Sequence, residues 1–212
     1  MNSWSSRART TRRHLLRTAA VLPVALYLPG ILAQSQEPKR VPTPACGDDE
    51  AITPGQTAGP FYTPDSPHKQ NFRVDDPDGE TLTLQGRVLD IKCGPQPGCI
   101  VELWHADNQG HYDNSGFRLR GHQRTDGKGG FLFDTTVPGR YPYRTRHYHL
   151  RVLDSEGRRL LTTQLYFPDE PFNARDGLFR PELLMTVRQS DTGLLARFDF
   201  VIATAVRDSI AD

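Results

Sequence analysis

The feature that most constrains the fold is a series of short segments rich in β-forming residues. Several of them alternate polar and apolar residues, as half-buried strands do. Clusters of glycine, proline, asparagine and aspartate separate the segments and are typical of turns. The predicted strands span residues 81–91, 100–105, 131–136, 147–153, 160–167 and 196–203.

This pattern predicts a mainly β protein, an antiparallel β-sandwich or barrel with little helix. The 18 glycines and 17 prolines among 212 residues also favour a turn-rich β fold over a helix bundle. One short helix is expected over residues 176–187. The 26 basic residues are balanced by 25 acidic ones, which excludes a whole-chain electrostatic attraction to nucleic acid.

The first 33 residues are typical of an export signal. Residues 1–18 carry five arginines and no acidic residue, and the apolar run 19–33 is shorter than the roughly 20 residues of a spanning helix. Arg12 and Arg13, followed by two leucines, resemble the pair of a twin-arginine signal. An ordinary secretory signal is the alternative. We expect export to the periplasm or cell exterior, and membrane contact only if residues 1–33 stay uncleaved.

A polar, proline-rich segment, residues 34–55, follows and is predicted to be a linker or a surface arm. The remainder, residues 56–212, has the length of one domain. The three cysteines of the chain lie in the part expected to be exported, where disulfides can form. A local disulfide between Cys93 and Cys99, which bracket a GPQPG turn, is one prediction. A bridge from Cys46 to either of them is the alternative.

Two histidines, His147 and His149, lie two residues apart on a predicted strand. Residues two apart on a strand point to the same face, so both imidazoles can reach one metal ion. Two packed or surface histidines would give the same pattern. Tyr141 precedes the pair in a turn, and Tyr112 lies in another turn-rich stretch. A phenolate is a hard anionic donor, which suits ferric iron better than zinc or ferrous iron.

An ordered set of motifs resembles the intradiol ring-cleavage dioxygenases, which include protocatechuate 3,4-dioxygenase and catechol 1,2-dioxygenase. The resemblance extends from Gln56 to Asn173, and its motifs are QTAGPFY, LQGRVLD, VELWHADNQGHYDN, RTDGKGGFLFDT, PGRYPYRTRHYH and TQLYF. It implies a β-sandwich that holds a non-haem ferric ion, Fe(III). The implied reaction cleaves a catechol-type diol between its two hydroxylated carbons with dioxygen, giving a muconate-type diacid.

The resemblance also assigns roles to individual residues. The implied iron ligands are two phenols and two imidazoles, those of Tyr112, Tyr141, His147 and His149. Tyr141 would leave the ion when the diol binds and would accept a substrate proton. Arg144 would stabilise charge on the substrate ring, and Gln164 matches a family glutamine near the bound catechol. Tyr62 is predicted at the mouth of the pocket.

The segment RTRHYH departs from the R-P-A-H-I-H of better-known members, because Arg146 and Tyr148 replace alanine and isoleucine. The substrate therefore stays open among catechol, protocatechuate, hydroxyquinol and a larger lignin-derived diol. The sequence also leaves open whether the protein forms a homo-oligomer. The alternatives to the dioxygenase are a non-catalytic exported β-sandwich that acts as a binding module, a zinc hydrolase, and a ferrous extradiol oxygenase with two histidines and a carboxylate.

Overall fold

Nine β-strands and three short 3₁₀ helices form residues 52–203, the part of the chain that the computed structural model describes. The strands are β1 (Thr81–Asp90), β2 (Ile100–Trp104), β3 (Arg120–Arg124), β4 (Gly130–Thr136), β5 (His147–Leu153), β6 (Arg159–Tyr166), β7 (Thr186–Ser190), β8 (Gly193–Arg197) and β9 (Phe200–Ile202). The 3₁₀ helices span Arg73–Asp75, Pro171–Arg175 and Pro181–Leu183.

The strands form two sheets. One has the order β4-β1-β8-β7, with β9 also paired to β1, and the other has the order β3-β2-β5-β6. All pairs are antiparallel except β1–β8 and β1–β9, which are parallel. The predicted class, a mainly β protein built as a β-sandwich with little helix, is confirmed.

The alternation of side chains places one face of each sheet in a shared apolar core. Leu82 and Leu84 of β1 are fully buried in it, as are Tyr148 and Leu150 of β5. Because neighbours on a strand point to opposite faces, the histidines that flank Tyr148 lie on the outer face of the second sheet. That outer face carries the candidate site.

The segment before β1 passes along the edge of β6 and reaches this outer face. The Thr53 amide donates to the Val201 carbonyl of β9 at 2.9 Å, and the Gln56 amide donates to the Thr162 carbonyl of β6 at 2.7 Å. Gly59 then comes so close to the sheet that a Cβ there would lie 3.3 Å from His149 Cε1. Gly59 also has φ +68°, which favours glycine. This segment therefore covers His149 on the outer face of the sheet, and His149 is only 1% exposed.

The predicted helix over residues 176–187 is wrong, and no α-helix forms anywhere between residues 52 and 203. This stretch holds the 3₁₀ turn Pro181–Leu183 and the start of β7. Arg180 is extended, with φ −132° and ψ 122°, because the proline after it disfavours the helical conformation.

Two other strand predictions differ from the structure. The strand expected over residues 196–203 is two strands, β8 and β9, which pair with successive halves of β1. Between them, the Phe198 amide donates to the Gln85 carbonyl at 3.1 Å. Strands β3 and β7 were not predicted, because their sequences RGHQR and TVRQS carry few apolar residues.

The predicted disulfide between Cys93 and Cys99 is also wrong. Cys99 is a free thiol among the described residues and packs in the apolar core. Cys93 is disulfide-bonded. The alternative prediction, a bridge from Cys46, falls on a residue outside the described part of the chain.

The predicted export signal, residues 1–33, and most of the predicted arm, residues 34–55, lie outside the described residues, so export stays a prediction. Residues 52–203 all belong to one compact unit, Pro38–Asp212. In this described part, no helix has the length and hydrophobicity to cross a membrane.

Candidate active site

The register of the second sheet places one residue from each strand in a single row. Each residue in the row lies directly opposite the next one across the strand pair, so all four side chains share the outer face. The row consists of Arg120 on β3, Trp104 on β2, His149 on β5 and Gln164 on β6. In the neighbouring row, His147 lies opposite Tyr166. The site is thus built on a rigid sheet.

The two histidines present equivalent nitrogen atoms to each other. Nε2 of His147 lies 3.1 Å from Nε2 of His149. The Nδ1–H of His147 donates to the Thr145 carbonyl at 2.7 Å, which leaves the lone pair on Nε2. Trp104 stacks on the His149 ring with a centroid distance of 5.1 Å and an interplanar angle of 8°. Both imidazoles are thereby held with Nε2 turned to one point.

The two tyrosines approach the same point. The Tyr141 hydroxyl donates to His147 Nε2 at 3.2 Å. The Tyr112 ring lies with its centroid 5.6 Å from that of Tyr141 and 6.1 Å from that of His149. Phe61 stacks on Tyr112 at 4.4 Å. The Tyr112 hydroxyl oxygen is buried and has no hydrogen-bond partner within residues 52–203.

Two interlocked turns bring the tyrosines together. The Asp107 carbonyl accepts hydrogen bonds from the amides of Gly110, at 3.0 Å, and Gly139, at 2.7 Å. A Cβ on Gly139 would overlap Asn108 O and Gly110 N. The turn before each tyrosine therefore fits the other only because a glycine stands at the contact.

Burial sets the protonation of all four groups. It lowers the pKa of His147 to about 4, with the positive charge of Arg144 adding to the effect. Burial likewise places the pKa of His149 well below its usual value. Burial raises the pKa of Tyr141 and, more strongly, that of Tyr112. At neutral pH the imidazoles are neutral, as metal ligation requires, and the phenols ionise only if a strongly Lewis-acidic ion displaces their protons.

The donor set fits a hard trivalent ion. The described residues contain no group of three or more histidine, cysteine, aspartate or glutamate side chains placed to hold a metal, so an ion here needs the phenols. Two Nε2 atoms 3.1 Å apart suit two bonds of about 2.1 Å to one ion. A phenolate of Tyr112 bound to that ion would also give its buried oxygen a partner. Two imidazoles and two phenolates are the donors expected for ferric iron.

Arg144 links the predicted ligands to the predicted substrate contacts. Its Nη1–H donates to the Tyr141 hydroxyl oxygen at 3.1 Å, and its Nη2–H donates to Oε1 of Gln164. Its Nε–H donates to Oδ2 of Asp176 at 2.9 Å, with Arg144 and Asp176 side chains only 14% and 1% exposed. Gln164 in turn donates to the Thr57 carbonyl at 3.0 Å. Six of the seven predicted site residues are therefore brought together.

Tyr62, the seventh, is turned away from the four predicted ligands. Its hydroxyl donates to the buried carboxylate of Glu102 at 3.2 Å, and the Arg151 guanidinium lies 3.7 Å from its ring centroid. The Tyr62 ring meets Trp104 edge to face at 5.0 Å. Its contact with the site therefore passes through Trp104, which stacks on His149.

Three residues that the sequence did not single out shape the site: Phe61, Arg120 and Asp176. Phe61 stood in the GPFY motif beside Tyr62, so the motif pointed to the right segment. Asp176 lies 32 residues from Arg144, and no spacing rule links them. Arg120 begins a polar strand, and only the register shows that it belongs to the row with His149.

Comparison with known proteins agrees with this geometry. A family model for dioxygenases matches residues 57–204, which is more than half of the chain. Catechol 1,2-dioxygenase 2 of Acinetobacter lwoffii is 33% identical over 170 residues, which cover 67% of this chain and 62% of that protein. The chain belongs to the intradiol dioxygenase family.

Two further proteins are similar to this chain. The protocatechuate 3,4-dioxygenase beta chain of Burkholderia cepacia is 32% identical over 129 residues, covering 53% of this chain and 55% of that protein. A solved dioxygenase domain, from a dioxygenase carbohydrate-binding protein fusion of Streptomyces sp. SirexAA-E, is 46% identical with a TM-score of 0.69. The alignment covers 73% of this chain and 99% of the Streptomyces domain. This chain therefore spans less than two thirds of the length of each curated relative: 62% of the Acinetobacter protein and 55% of the Burkholderia protein.

Proposed function

We propose that this protein is a non-haem ferric intradiol dioxygenase. It would cleave a catechol-type diol between the two hydroxylated carbons and incorporate both atoms of dioxygen, giving a muconate-type diacid. The observation that carries this proposal is the meeting of two imidazoles and two phenols at one buried point, with the two Nε2 atoms 3.1 Å apart. Membership of the intradiol dioxygenase family supports the same reaction.

The ligands would be the phenolates of Tyr112 and Tyr141 and the Nε2 atoms of His147 and His149. When bound, ferric iron supplies the Lewis acidity that draws electron density from a catecholate and makes its ring reactive toward dioxygen. The sheet fixes the imidazoles, and Trp104 and Gly59 cover His149. The chain therefore keeps bulk water from the histidine side of the site.

Tyr141 is the residue suited to handle a substrate proton. Its oxygen already accepts a hydrogen bond from Arg144 at 3.1 Å and lies 3.2 Å from His147 Nε2. A Tyr141 phenolate that is not bound to the ion would take the proton of a substrate hydroxyl, because burial raises the pKa of this phenol above its ordinary value. Arg144 remains beside it as a permanent cation, placed to stabilise negative charge on the substrate.

The substrate proposed is a small aromatic 1,2-diol. Relatives in the family are named catechol 1,2-dioxygenase, hydroxyquinol 1,2-dioxygenase and protocatechuate 3,4-dioxygenase. Catechol, hydroxyquinol and protocatechuate therefore form the panel to be tested, and a larger lignin-derived diol is added to test the alternative substrate. The segment between Tyr141 and His147, which differs from that of better-known members, is where we expect the preference to be set.

The experiment supplies this panel to the purified, iron-loaded protein under air and records colour, oxygen uptake and product mass. We expect a red-brown protein, one dioxygen consumed per diol, and a product heavier by one dioxygen molecule. His147→Ala should lose iron and activity together. The control is His111→Ala, because His111 is an exposed histidine of the Tyr112 motif whose side chain is 73% exposed. A pale protein that takes up no oxygen with any diol would instead indicate a non-catalytic binding module.

A further inference from the structure

Tyr143 is the most exposed large hydrophobic residue in the described part of the chain, at 89%. It therefore adds almost nothing to the apolar core. Its backbone has φ +65°, which lies in the left-handed region that a bulky residue rarely adopts. A tyrosine in this conformation costs free energy of folding, and at Tyr143 no burial compensates the cost.

The positive φ belongs to a tight turn. The Arg144 amide donates to the Tyr141 carbonyl at 3.1 Å, which closes a four-residue turn over residues 141–144. Pro142 occupies the second position and Tyr143 the third, where φ is positive. This is the pattern of a type II turn, whose third position is usually glycine. The chain thus carries a tyrosine where a glycine would fold with less strain.

The turn forms one wall of the candidate site. Its first and last residues both reach the site, because the Tyr141 hydroxyl donates to His147 Nε2 at 3.2 Å and Arg144 donates to the Tyr141 oxygen at 3.1 Å. The two residues between them, Pro142 and Tyr143, are exposed. Tyr143 therefore lies at the rim of the site, next to the arginine that faces inward.

The site is open on the side of the tyrosine turns. His147 and His149 are 2% and 1% exposed, so a substrate does not approach from the histidine side. Tyr112 and Tyr141 are only partly buried. A diol that reaches the four donors therefore passes the rim that carries Tyr143.

The chemistry of the diol determines what meets this rim. A catechol held through both of its oxygen atoms directs its C4 atom away from the four donors and toward the open side. A substituent on C4 therefore extends to the rim. The exposed Tyr143 ring is accessible to such a substituent, and two aromatic groups in contact attract each other beyond the effect of the area that they bury.

We propose that Tyr143 is a specificity-determining residue, which stacks on a flat C4 substituent of the diol at the rim of the site. The substrate class that this role implies is a catechol with a second aromatic or conjugated group at C4. This inference rests on the proposed function, because Tyr143 meets the diol only if the diol binds at the four donors. The strained turn then serves substrate binding and not folding.

The test compares three variants with the wild-type protein, all full-length and iron-loaded. Tyr143→Gly removes the ring and suits the positive φ, Tyr143→Asn removes the ring with a residue that tolerates the same φ, and Tyr143→Phe keeps the ring. The diols are catechol, 4-phenylcatechol and 4-cyclohexylcatechol, the last of which has a similar size but is not flat. Dissociation constants are measured without dioxygen from the change in visible absorption, and thermal denaturation gives the Tm.

We expect Tyr143→Gly and Tyr143→Asn to bind 4-phenylcatechol about 3- to 10-fold more weakly, as the loss of one stacked aromatic pair predicts. Binding of 4-cyclohexylcatechol should weaken less, and catechol should bind all variants equally, because it has no group at C4. Tyr143→Phe should match wild type with each diol. Tyr143→Gly should also raise the Tm, because glycine adopts a positive φ without strain.

The outcomes separate this inference from the proposed function. A wild-type protein that neither binds nor cleaves any of the three diols would refute the proposed function and this inference with it. If catechol is bound and cleaved but Tyr143→Gly binds 4-phenylcatechol as wild type does, the role of Tyr143 alone is overturned. Equal losses with the phenyl and cyclohexyl diols would exclude stacking and would also overturn it. A lower Tm in both the glycine and asparagine variants would assign Tyr143 to folding, against the proposal.

Discussion

At the scale of single residues, the site depends on how each charged group is balanced. Asp176 accepts from Arg144 Nε and from the Thr145 amide, both at 2.9 Å. Burial alone would raise the pKa of Asp176, but hydrogen bonds from the Leu178 and Thr145 amides and from Arg144 bring it below its usual value. Asp176 therefore stays ionised, balances the positive charge of Arg144 and fixes the orientation of its guanidinium group.

Replacing Asp176 by asparagine should displace Arg144 without removing it. We expect Asp176→Asn to lower kcat about 10- to 100-fold, since a misplaced catalytic group costs about that much, with a smaller change in KM. Steady-state kinetics on the preferred diol measure this. Asp154→Asn is the matched control, because Asp154 pairs with the exposed Arg158 in a distant turn. A wild-type kcat in Asp176→Asn would show that Arg144 orients itself without the carboxylate.

At the scale of elements, strand β5 serves the core and the site at once. Tyr148, Leu150 and Val152 fill the apolar core from one face, while His147 and His149 point to the other. The loops that carry the tyrosines have no such regular support and depend on the contact between two turns. Gly139 lies at that contact, where a side chain would overlap Asn108 and Gly110.

Because this contact leaves no room for a side chain, we expect one added methyl group at Gly139 to have a large effect. Gly139→Ala should push the turns apart, destabilise the protein by about 1–3 kcal/mol as overpacking does, and weaken iron binding by moving the tyrosines. Denaturant unfolding and iron titration measure the two effects. Gly127→Ala is the control, because a Cβ there meets nothing within 4 Å. Equal behaviour of the two variants would mean that the turns adapt without moving the ligands.

At the scale of the whole molecule, a fully buried histidine makes stability depend on pH. His105 is 1% exposed, and its ring nitrogens bond to the Ala106 carbonyl at 2.7 Å and to Thr135 Oγ1 at 2.6 Å. Burial lowers the pKa of His105 to about 4, although Asp75 and Asp107 raise it and Arg120 lowers it further. The folded protein therefore holds this imidazole neutral over a range in which the unfolded chain protonates it.

Since the folded pKa lies below the unfolded value of about 6.5, the stabilisation is complete above pH 6.5. It is lost progressively as pH falls from 6.5 toward 4, by up to about 3 kcal/mol. Denaturant unfolding at several pH values measures the slope. His105→Gln, which keeps polar atoms but does not titrate, should show a smaller loss between pH 6.5 and 4. An unchanged slope would assign the acid sensitivity to other groups.

The sequence alone determined five of the nine described strands, the β-sandwich class and the two histidines on one strand face, because these follow from the alternation of residues two apart in the chain. The motifs also pointed to the tyrosines and to Arg144. Only the tertiary structure decided that Arg120 and His149 share a row, that Asp176 holds Arg144, that Cys99 is a free thiol in the core and that residues 176–187 form no α-helix. Phe61 and Arg120 are 59 residues apart, and such contacts depend on strand register and loop packing, which no local pattern specifies.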